Sequence, residues 1–564
     1  MQLKIIDHRA MLMACLLVCL LPAGLLAGET LLNGIELPDV WPPRIERITN
    51  EPMPVPYLQK RPAVIPIDIG RQLFVDDFLI ESTTLARTFH QPKYHPKSPV
   101  LRPEQPWELG QDFGTAAPYS DGVWYDPQRR QFALWYRAGH RETCLALSPD
   151  GIHWNRPLLD VVAGTNIVLQ STRDAATVWL DHAATDPAER FKLVEARYKK
   201  GLPFAMVLHR SADGVHWSAD IAESGPSWDR STVFWNPFRQ VWVASVRGHD
   251  HEKPAPVHRL RCYREGKTAA EALGWKQHTD EVAKGRLLPN DLTPWVAADR
   301  LDPRHPDPRF RELEPQLYNL DCFPYESLLV GLFTIWQGPS NEVCQELNIH
   351  KRNEVLVGFS RDGFHWNRAS RARFLPVNDD PQAWNAGNVQ SAGGGCLVVG
   401  DELYFYCSGR TMHPRTTMST GLATLRRDGF ASLDAPPRGG EVTTRPVRFA
   451  GGHLFVNASP GTGTLLAEVL DQQGQIMPGY ERANCVPMQG DSACTEITWK
   501  NQATLAALRQ QPVRLRFILT AGSLWAFWVT SDPRGASHGY VAAGGPGLAG
   551  ATDSGIPSAP AVRP

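Results

Sequence analysis

Hydrophobic and polar residues alternate over short distances along most of the chain. Short runs of aromatic and β-branched residues are interrupted by polar turns, which is the pattern of antiparallel strands. Five strand–turn–strand segments are predicted: Gly122–Tyr136, Thr177–Val194, Val233–Val246, Phe323–Trp336 and Gly395–Tyr406. Helical periodicity is nearly absent, with one short candidate at Thr504–Arg509. The sequence therefore predicts an all-β protein.

A short phrase, Ser-x-Asp-Gly-x-His-Trp, recurs three times, at Ser148–Trp154, Ser211–Trp217 and Ser360–Trp366. Asp-Gly is typical of a tight hairpin turn, over which the tryptophan can pack. The first two copies begin 63 residues apart and the third begins 149 residues later, roughly two further units. Five hairpins at this spacing predict a five-bladed β-propeller over residues 70–435. Its first strand, Arg71–Ile80, is expected to close the ring by pairing with the last blade.

The pattern changes near the C-terminus. Residues 445–531 contain strands that alternate apolar and polar positions, as two-faced strands do, and predict a β-sandwich that follows the propeller. Residues 532–564 are rich in Gly, Ala and Pro and have little to bury, so a disordered tail is predicted. Residues 28–69 are interpreted as an N-terminal extension.

The first residues indicate export. Lys4, His8 and Arg9 precede an apolar run from Met11 to Leu26, and small residues follow. This pattern predicts a signal peptide over residues 1–27 and a secreted or periplasmic protein. No later stretch is long and apolar enough to predict a membrane span.

The cysteines do not predict a metal site. Eight of the ten lie beyond the signal peptide, scattered and without CxxC spacing, so no zinc site is expected. Cys485 and Cys494 are close enough in sequence to close a loop with a disulfide bond. No cofactor is predicted, although the sequence is compatible with a structural calcium ion.

Charge and composition narrow the partners. The chain has 58 basic and 59 acidic residues and a net charge of −1, so no nucleic acid partner is expected. Its 18 Trp and 13 Tyr residues suit a β-rich protein with aromatic-lined clefts, and sugar binding is one use of such clefts. A carbohydrate substrate and a monomeric protein are therefore expected.

Charged residues recur at one end of the predicted hairpins. Counted back from the turns, a carboxylate stands near the start of the first strand in four of the five blades, at Asp121, Asp174, Asp229 and Asp321. Basic residues stand where second strands end, at Arg137, Arg247 and Arg410. Because the strands of a hairpin are antiparallel, both sets are expected at the same mouth of the propeller funnel.

These residues form the candidate site. Glycoside cleavage needs one protonated carboxyl and a second carboxylate that attacks the sugar or activates water. The candidate catalytic residues are Asp121, Asp229, Asp321 and Glu326. The candidate substrate-binding residues are Asp174, Arg137, Arg230, Arg247, Arg410 and Trp384. The alternative interpretation is that the acids and arginines pair with one another and lock the blades together.

The arrangement resembles the five-bladed glycoside hydrolases of families 32 and 43, particularly family 32, whose propeller is followed by a β-sandwich. Asp229-Arg-Ser-Thr-Val-Phe-Trp235 is similar to their Arg-Asp-Pro pattern, which implies that Asp229 binds sugar hydroxyls and stabilises the transition state. Tyr318-Asn-Leu-Asp321-Cys322 stands where those families have Glu-Cys-Pro, so the likeness implies that Asp321 or Glu326 is the acid. Tyr119-Ser-Asp121 stands near their Asn-Asp-Pro-Asn-Gly position, making Asp121 the nucleophile or base. None of the three motifs is intact.

Three functions are compatible with this sequence. The first is an exported glycoside hydrolase. The second is a non-catalytic propeller that binds glycan or protein at a cell surface, and the third is a lyase or a sialidase-like enzyme. Geometry discriminates between the first two, because two carboxyls roughly 5–10 Å apart favour hydrolysis. Carboxylates each buried in an arginine pair favour a scaffold.

Overall fold

A computed structural model describes residues 28–45, 48–110, 113–139, 142–200, 202–249, 259–276, 291–411, 416–501 and 504–555. It is mostly β, as the sequence predicts. The predicted signal peptide lies outside the described residues. Of the helices in these ranges, none combines the length and the apolar character needed to cross a bilayer.

Helices are few and short among the described residues. They are α1 (Pro56–Gln59), α2 (Pro106–Leu109), α3 (Ala269–Ala272) and α4 (Asn341–Leu347), with single 3₁₀ turns at Pro187–Glu189, Pro308–Phe310 and Ala506–Leu508. The last of these turns lies within Thr504–Arg509, the one segment that the sequence suggests as a helix. Five short strands come first in the chain: β1 (Ile65–Pro66), β2 (Gln72–Leu73), β3 (Ile80–Thr83), β4 (Ala86–Phe89) and β5 (Lys93–Tyr94).

Five antiparallel units of consecutive strands follow, and each begins with one of the five predicted hairpins. The first contains β6 (Gly114–Asp126), β7 (Gln131–Ala138), β8 (Glu142–Ser148) and β9 (Ile167–Gln170). The second contains β10 (Arg173–Leu180), β11 (Phe191–Lys199), β12 (Leu202–Ser211) and β13 (Ala222–Ser227). The third contains β14 (Thr232–Asn236), β15 (Val241–His249), β16 (Arg259–Gly266) and β17 (Thr293–Ala297).

The fourth unit contains β18 (Gln316–Glu326), β19 (Leu328–Gly338) and β20 (Arg352–Ser360), and the fifth contains β21 (Asn388–Val399), β22 (Glu402–Thr411) and β23 (Thr417–Arg426). Strand β5 adds to the outer edge of the fifth unit by pairing with β23. The first strands contact one another in cyclic order, since β6 contacts β10, β10 contacts β14, β14 contacts β18, β18 contacts β21 and β21 contacts β6. Aromatic and aliphatic side chains from neighbouring units fill the space between them.

The repeated phrase forms the same turn at all three positions. In the first copy one carboxylate oxygen of Asp150 accepts hydrogen bonds from the backbone N–H groups of Ile152 and His153 at 2.9 and 2.8 Å. Asp213 and Asp362 accept the equivalent pair of bonds. These aspartates therefore close turns, as short side chains at such positions do.

The remaining strands are β24 (Ala431–Asp434), β25 (Gly440–Thr444), β26 (Val447–Arg448), β27 (His453–Ser459), β28 (Leu465–Leu470), β29 (Ser492–Ile497), β30 (Arg514–Leu519), β31 (Ser523–Thr530) and β32 (Tyr540–Val541). Strand β26 pairs with β1, and β32 pairs with β18. The others build two further sheets together with β2, β3 and β4. One sheet has the order β29-β27-β31-β24-β4, with β2 also on β31, and the other has the order β28-β30-β25-β3. A single apolar core joins their facing sides, which we call the two-sheet unit.

The predicted boundary of this unit is too narrow, because residues 72–89 and 431–444 also belong to it. Segment Arg71–Ile80 does not close the ring of first strands. Its strand β2 pairs with β31, and β3 pairs with β25. The reason is burial, since Phe74, Phe78 and Leu79 are fully buried in the core of the two-sheet unit. The N-terminal extension packs on the same core through residues such as Ile65 and Ile67.

The prediction of a disordered tail over residues 532–564 is wrong for residues 532–555. Strand β32 pairs with β18, and the carbonyl oxygens of Ala543 and Gly544 accept hydrogen bonds from Tyr125 and Val398 at 2.9 Å each. Small residues permit this approach, because a side chain at Gly545 would collide with the backbone of Val398. Residues 556–564 lie outside the described ranges.

The predicted disulfide bond between Cys485 and Cys494 is absent, since both thiols are free. The Cys485 side chain is buried and accepts a hydrogen bond from the backbone N–H of Ala467, whereas Cys494 is exposed on β29. Cys485 therefore acts as a small buried residue.

A fragment spanning residues 28–440 is expected to be insoluble or markedly less stable than residues 28–555. The cut removes all of β25 except Gly440 and the whole of β26 to β32, and it exposes the apolar side chains of Phe74, Phe78 and Leu433 in the core of the two-sheet unit. Solubility on expression and the midpoint of thermal unfolding measure this. A soluble fragment with the melting temperature of the longer chain would show that the two-sheet unit does not stabilise the rest.

Candidate active site

A cluster of charged and aromatic side chains lies where the first strands begin and the second strands end. Asp174 stands at the start of β10 and Asp229 just before β14, while Tyr119 and Tyr318 come from β6 and β18. Basic residues approach from the ends of other strands: Arg137, Arg230, Arg247, Arg259, Lys351 and Arg410. We call these ten residues the charged cluster.

Asp174 is a partly exposed carboxylate held by two arginines. The backbone N–H and Nε of Arg230 each lie 3.2 Å from its Oδ1, and Nη1 of Arg137 lies 3.7 Å from its Oδ2. Burial opposes ionisation, but Arg230 and Arg137 outweigh it and hold the pKa of Asp174 below its usual range. Because 22% of the side chain is accessible, this ionised group can meet a ligand.

Asp229 is the second accessible carboxylate, with 24% of its side chain exposed. It forms an ion pair with Arg247, and the Tyr318 hydroxyl donates a hydrogen bond to its Oδ2 at 3.5 Å. Arg247 is itself 6% exposed, and burial lowers the pKa of its guanidinium to about 9. Asp229 is therefore a carboxylate neutralised by a poorly solvated arginine.

Two tyrosine rings bracket Arg230. Its guanidinium carbon lies 4.2 Å from the centre of the Tyr119 ring and 5.8 Å from that of Tyr318. Tyr119, Ser120 and Arg230 all have positive φ angles, of 42°, 73° and 59°. Such backbone costs a non-glycine residue about 1–3 kcal/mol and is often found at functional sites.

Three cations of the cluster have no carboxylate partner among the residues that the structure describes: Arg259, Lys351 and Arg410. The ammonium of Lys351 lies 5.5 Å from the centre of the Tyr318 ring. Burial, followed by the charges of Arg410, Arg259 and Arg230, lowers the pKa of Lys351 to about 8. An excess of positive charge therefore collects at this end of the strands.

Asp121 and Asp321 lie behind the cluster and are closed off from solvent. Asp121 is fully buried, forms a two-pronged ion pair with Arg173 and accepts a hydrogen bond from the Ala176 backbone at 3.1 Å. Burial raises its pKa to about 6 in spite of Arg173. These contacts give Asp121 a structural role, and the candidate nucleophile of the sequence does not reach the accessible surface.

Asp321 is 4% exposed and accepts three side-chain hydrogen bonds. Ser120, Asn319 and Ser391 donate them at 3.0, 2.8 and 2.5 Å. Burial raises the pKa of Asp321, and these bonds oppose the rise. The carboxylate joins β6, β18 and β21, so it fastens three first strands together.

Two other candidates lie elsewhere. Glu326 is the last residue of β18, five residues or roughly 16 Å along the strand from Asp321, which lies at its middle. It is fully buried and accepts hydrogen bonds from the Arg71 backbone and Ser537. Trp384 packs against the Tyr94 ring at 5.5 Å and fills the space over two glycines of the fifth unit, so it serves packing.

The sequence interpretation missed Tyr119, Tyr318, Arg259 and Lys351. Both tyrosines stand two or three residues before an aspartate that the count back from the turns had selected, in Tyr119-Ser-Asp121 and Tyr318-Asn-Leu-Asp321. Arg259 begins β16 and Lys351 directly precedes β20, the third strands of their units. A register count extended to third strands would have found the two cations.

No metal site accompanies the cluster in the described ranges, where no three His, Cys, Asp or Glu side chains are arranged to hold an ion. The chemistry available at the cluster is that of two accessible carboxylates, two tyrosine hydroxyls and six cations. Asp174 and Asp229 are each paired with arginine, as a scaffold would have them, while their accessibility distinguishes them from Asp121 and Asp321.

No known family model matches the sequence, and no curated protein matches it. The fold is similar to solved structures of glycan-acting proteins. One is an N-acetylgalactosamine deacetylase from F. plautii in complex with blood group B trisaccharide (12% identity, 59% of this chain and 97% of that chain, TM-score 0.38). Another is a glycosyl hydrolase from Bacteroides ovatus (11% identity, 63% and 97%, TM-score 0.37). A third comes from the GH130 family of mannoside phosphorylases (11% identity, 60% and 94%, TM-score 0.36). At these scores the similarity assigns no family to the chain.

Proposed function

We propose that this protein is an exported glycan-processing enzyme, a glycoside hydrolase on a five-bladed propeller, with its active site at the charged cluster. The observation that carries the proposal is the convergence of two accessible carboxylates, Asp174 and Asp229, at one end of five successive first strands. The cyclic contacts of those strands support the propeller. The signal peptide over residues 1–27 and the β-sandwich formed by the two-sheet unit belong to the same proposal.

Asp174 suits the role of base or nucleophile, because Arg230 and Arg137 keep it ionised. Asp229 then remains as the proton donor that hydrolysis requires. Its pair with Arg247 must open before it can hold a proton, and a substrate group that takes up Arg247 would do this. Asp121 and Asp321 serve the architecture of the site and do not touch the substrate.

A second function has a specific observation in its favour. Each of the two accessible carboxylates is paired with at least one arginine, which is the arrangement expected of a glycan-binding propeller without catalysis. Such a protein would bind sugars at the same cluster without breaking a bond.

Screening the purified protein against a panel of plant, algal and microbial polysaccharides separates the two functions. Release of new reducing ends from one glycan is the expected result. Binding without release of reducing ends would favour the binding propeller, and an unsaturated sugar product would identify a lyase. A protein that neither binds nor cleaves any glycan of the panel would contradict the proposal.

A further inference from the structure

The charged cluster contains six cationic side chains and only two carboxylates. Arg230 and Arg137 share Asp174, and Arg247 pairs with Asp229. Arg259 donates to the side-chain oxygen of Gln316, a neutral partner. Lys351 and Arg410 form no ion pair with any carboxylate in the described part of the chain. Two carboxylates therefore cannot neutralise the cluster.

Several hydrogen-bond donors in the charged cluster have no acceptor within the described part of the protein. Nη1 of Arg230, Nε of Arg247 and Nε of Arg410 lack a hydrogen-bond acceptor there. Arg230 and Arg247 are 3% and 6% exposed, so bulk water does not compensate their donors freely. Because buried polar groups are almost always partnered, donors left open beside the accessible carboxylates of Asp174 and Asp229 are positioned for a ligand.

The surroundings of Lys351 show the same imbalance. Its ammonium is close enough to Arg410, Arg259 and Arg230 for their charges to lower its pKa, together with burial, to about 8. Cys344 and the exposed Glu342 of α4 are the other titratable groups that interact with it, and Tyr318 lies beneath it. A bound counter-charge would relieve the mutual repulsion of these cations and keep Lys351 protonated.

We propose that the substrate at the charged cluster is an acidic glycan, whose sugar units carry a carboxylate or sulfate group that Arg230, Lys351 and Arg410 bind. This inference rests on the proposed function, because it names the substrate class of the same site. Guanidinium groups match the oxygens of carboxylate and sulfate through paired hydrogen bonds. Neutral sugars offer no charge to balance the surplus, and the overall charge of −1 gives the protein no general affinity for polyanions.

Binding to two matched pairs of glycans tests the inference. Polygalacturonate is compared with its fully methyl-esterified form, and dextran sulfate with dextran, by calorimetry at physiological salt. The acidic member of at least one pair is expected to bind about tenfold tighter or more, the difference of one half-buried ion pair. Lys351→Gln and Arg410→Gln are each expected to remove most of that preference. Lys267→Gln is the matched control and should keep the preference, because Lys267 is an exposed lysine directly after the end of β16 opposite Arg259.

Proton uptake gives an independent readout. Because the pKa of Lys351 is about 8, part of the population is neutral at pH 8, and a bound anion raises the pKa and draws in a proton. Calorimetry at pH 8 in buffers of different ionisation enthalpy should therefore show proton uptake that is absent at pH 6. The Lys351→Gln variant should show none at either pH.

The outcomes distinguish this inference from the proposed function. If the protein cleaves a neutral glycan and Asp229→Asn abolishes that cleavage, the acidic-substrate inference is wrong and the proposed hydrolase function stands. If the protein binds an acidic glycan tightly without cleaving it, the inferred ligand class stands and the proposed hydrolase function is wrong. Equal binding of both members of each pair, a preference unchanged in both cluster variants, or binding of inorganic phosphate alone would contradict the inference.

Discussion

Replacing Asp229 with asparagine is expected to lower kcat/KM on the glycan substrate by about 10²-fold or more while leaving the fold intact. The change keeps the shape of the side chain but removes the carboxylate that meets Tyr318 and Arg247. Asp174→Asn should produce a loss of the same order, because the ionised group beside Arg230 is removed. Initial rates of reducing-end release measure both losses.

Asp220→Asn is the matched control for these variants. Asp220 is also a partly exposed carboxylate paired with an arginine, Arg197, but it lies on the outer side of the second unit. Its replacement should leave turnover unchanged. Wild-type turnover in both Asp174→Asn and Asp229→Asn would show that the active site lies elsewhere.

The second large effect concerns stability. Arg71→Met is expected to lower the free energy of unfolding by about 3–5 kcal/mol, the cost of leaving buried charges without their partner. Arg71 is 1% exposed, and its Nη1 donates to Asp428 and to the Ala493 carbonyl at 2.8 Å each. Its guanidinium also stacks over Trp528 at 4.0 Å, so one side chain joins the fifth unit to the two-sheet unit.

Urea denaturation of Arg71→Met beside Arg534→Met measures this effect. Arg534 is 69% exposed and pairs with Asp532 at the surface, where an ion pair contributes about 0–1 kcal/mol. The control should therefore unfold close to the wild-type midpoint. Equal midpoints for the two variants would contradict the structural role assigned to Arg71 and to the buried Glu326 beside it.

The five hairpins were predictable because their signals are local. Alternation of side chains and an Asp-Gly turn lie within one short segment, as at Ser148–Trp154. The two-sheet unit was predicted only in part, since its pairs join distant residues, such as Thr83 with Val442 and Thr88 with Ser432. Nothing in the segment around Thr83 specifies a partner that follows more than three hundred residues later.

Site prediction had a similar limit. The register count placed Asp174, Asp229, Arg137 and Arg247 at one end of the strands, where the structure also has them together, because antiparallel pairing fixes which ends meet. It could not tell depth, so Asp121 and Asp321, which are buried by Arg173 and by three hydroxyl or amide donors, were ranked with accessible carboxylates. Small residues misled the tail prediction, because Gly545 permits close packing as readily as disorder.

A crystal structure of the Asp229→Asn variant with the tightest-binding oligosaccharide shows whether the charged cluster binds glycan. Sugar density is expected at the charged cluster, with an acidic group in contact with Arg230, Lys351 or Arg410. Density confined to the outer cavity lined by Met53, Trp295 and Trp366, with the charged cluster empty, would contradict this expectation.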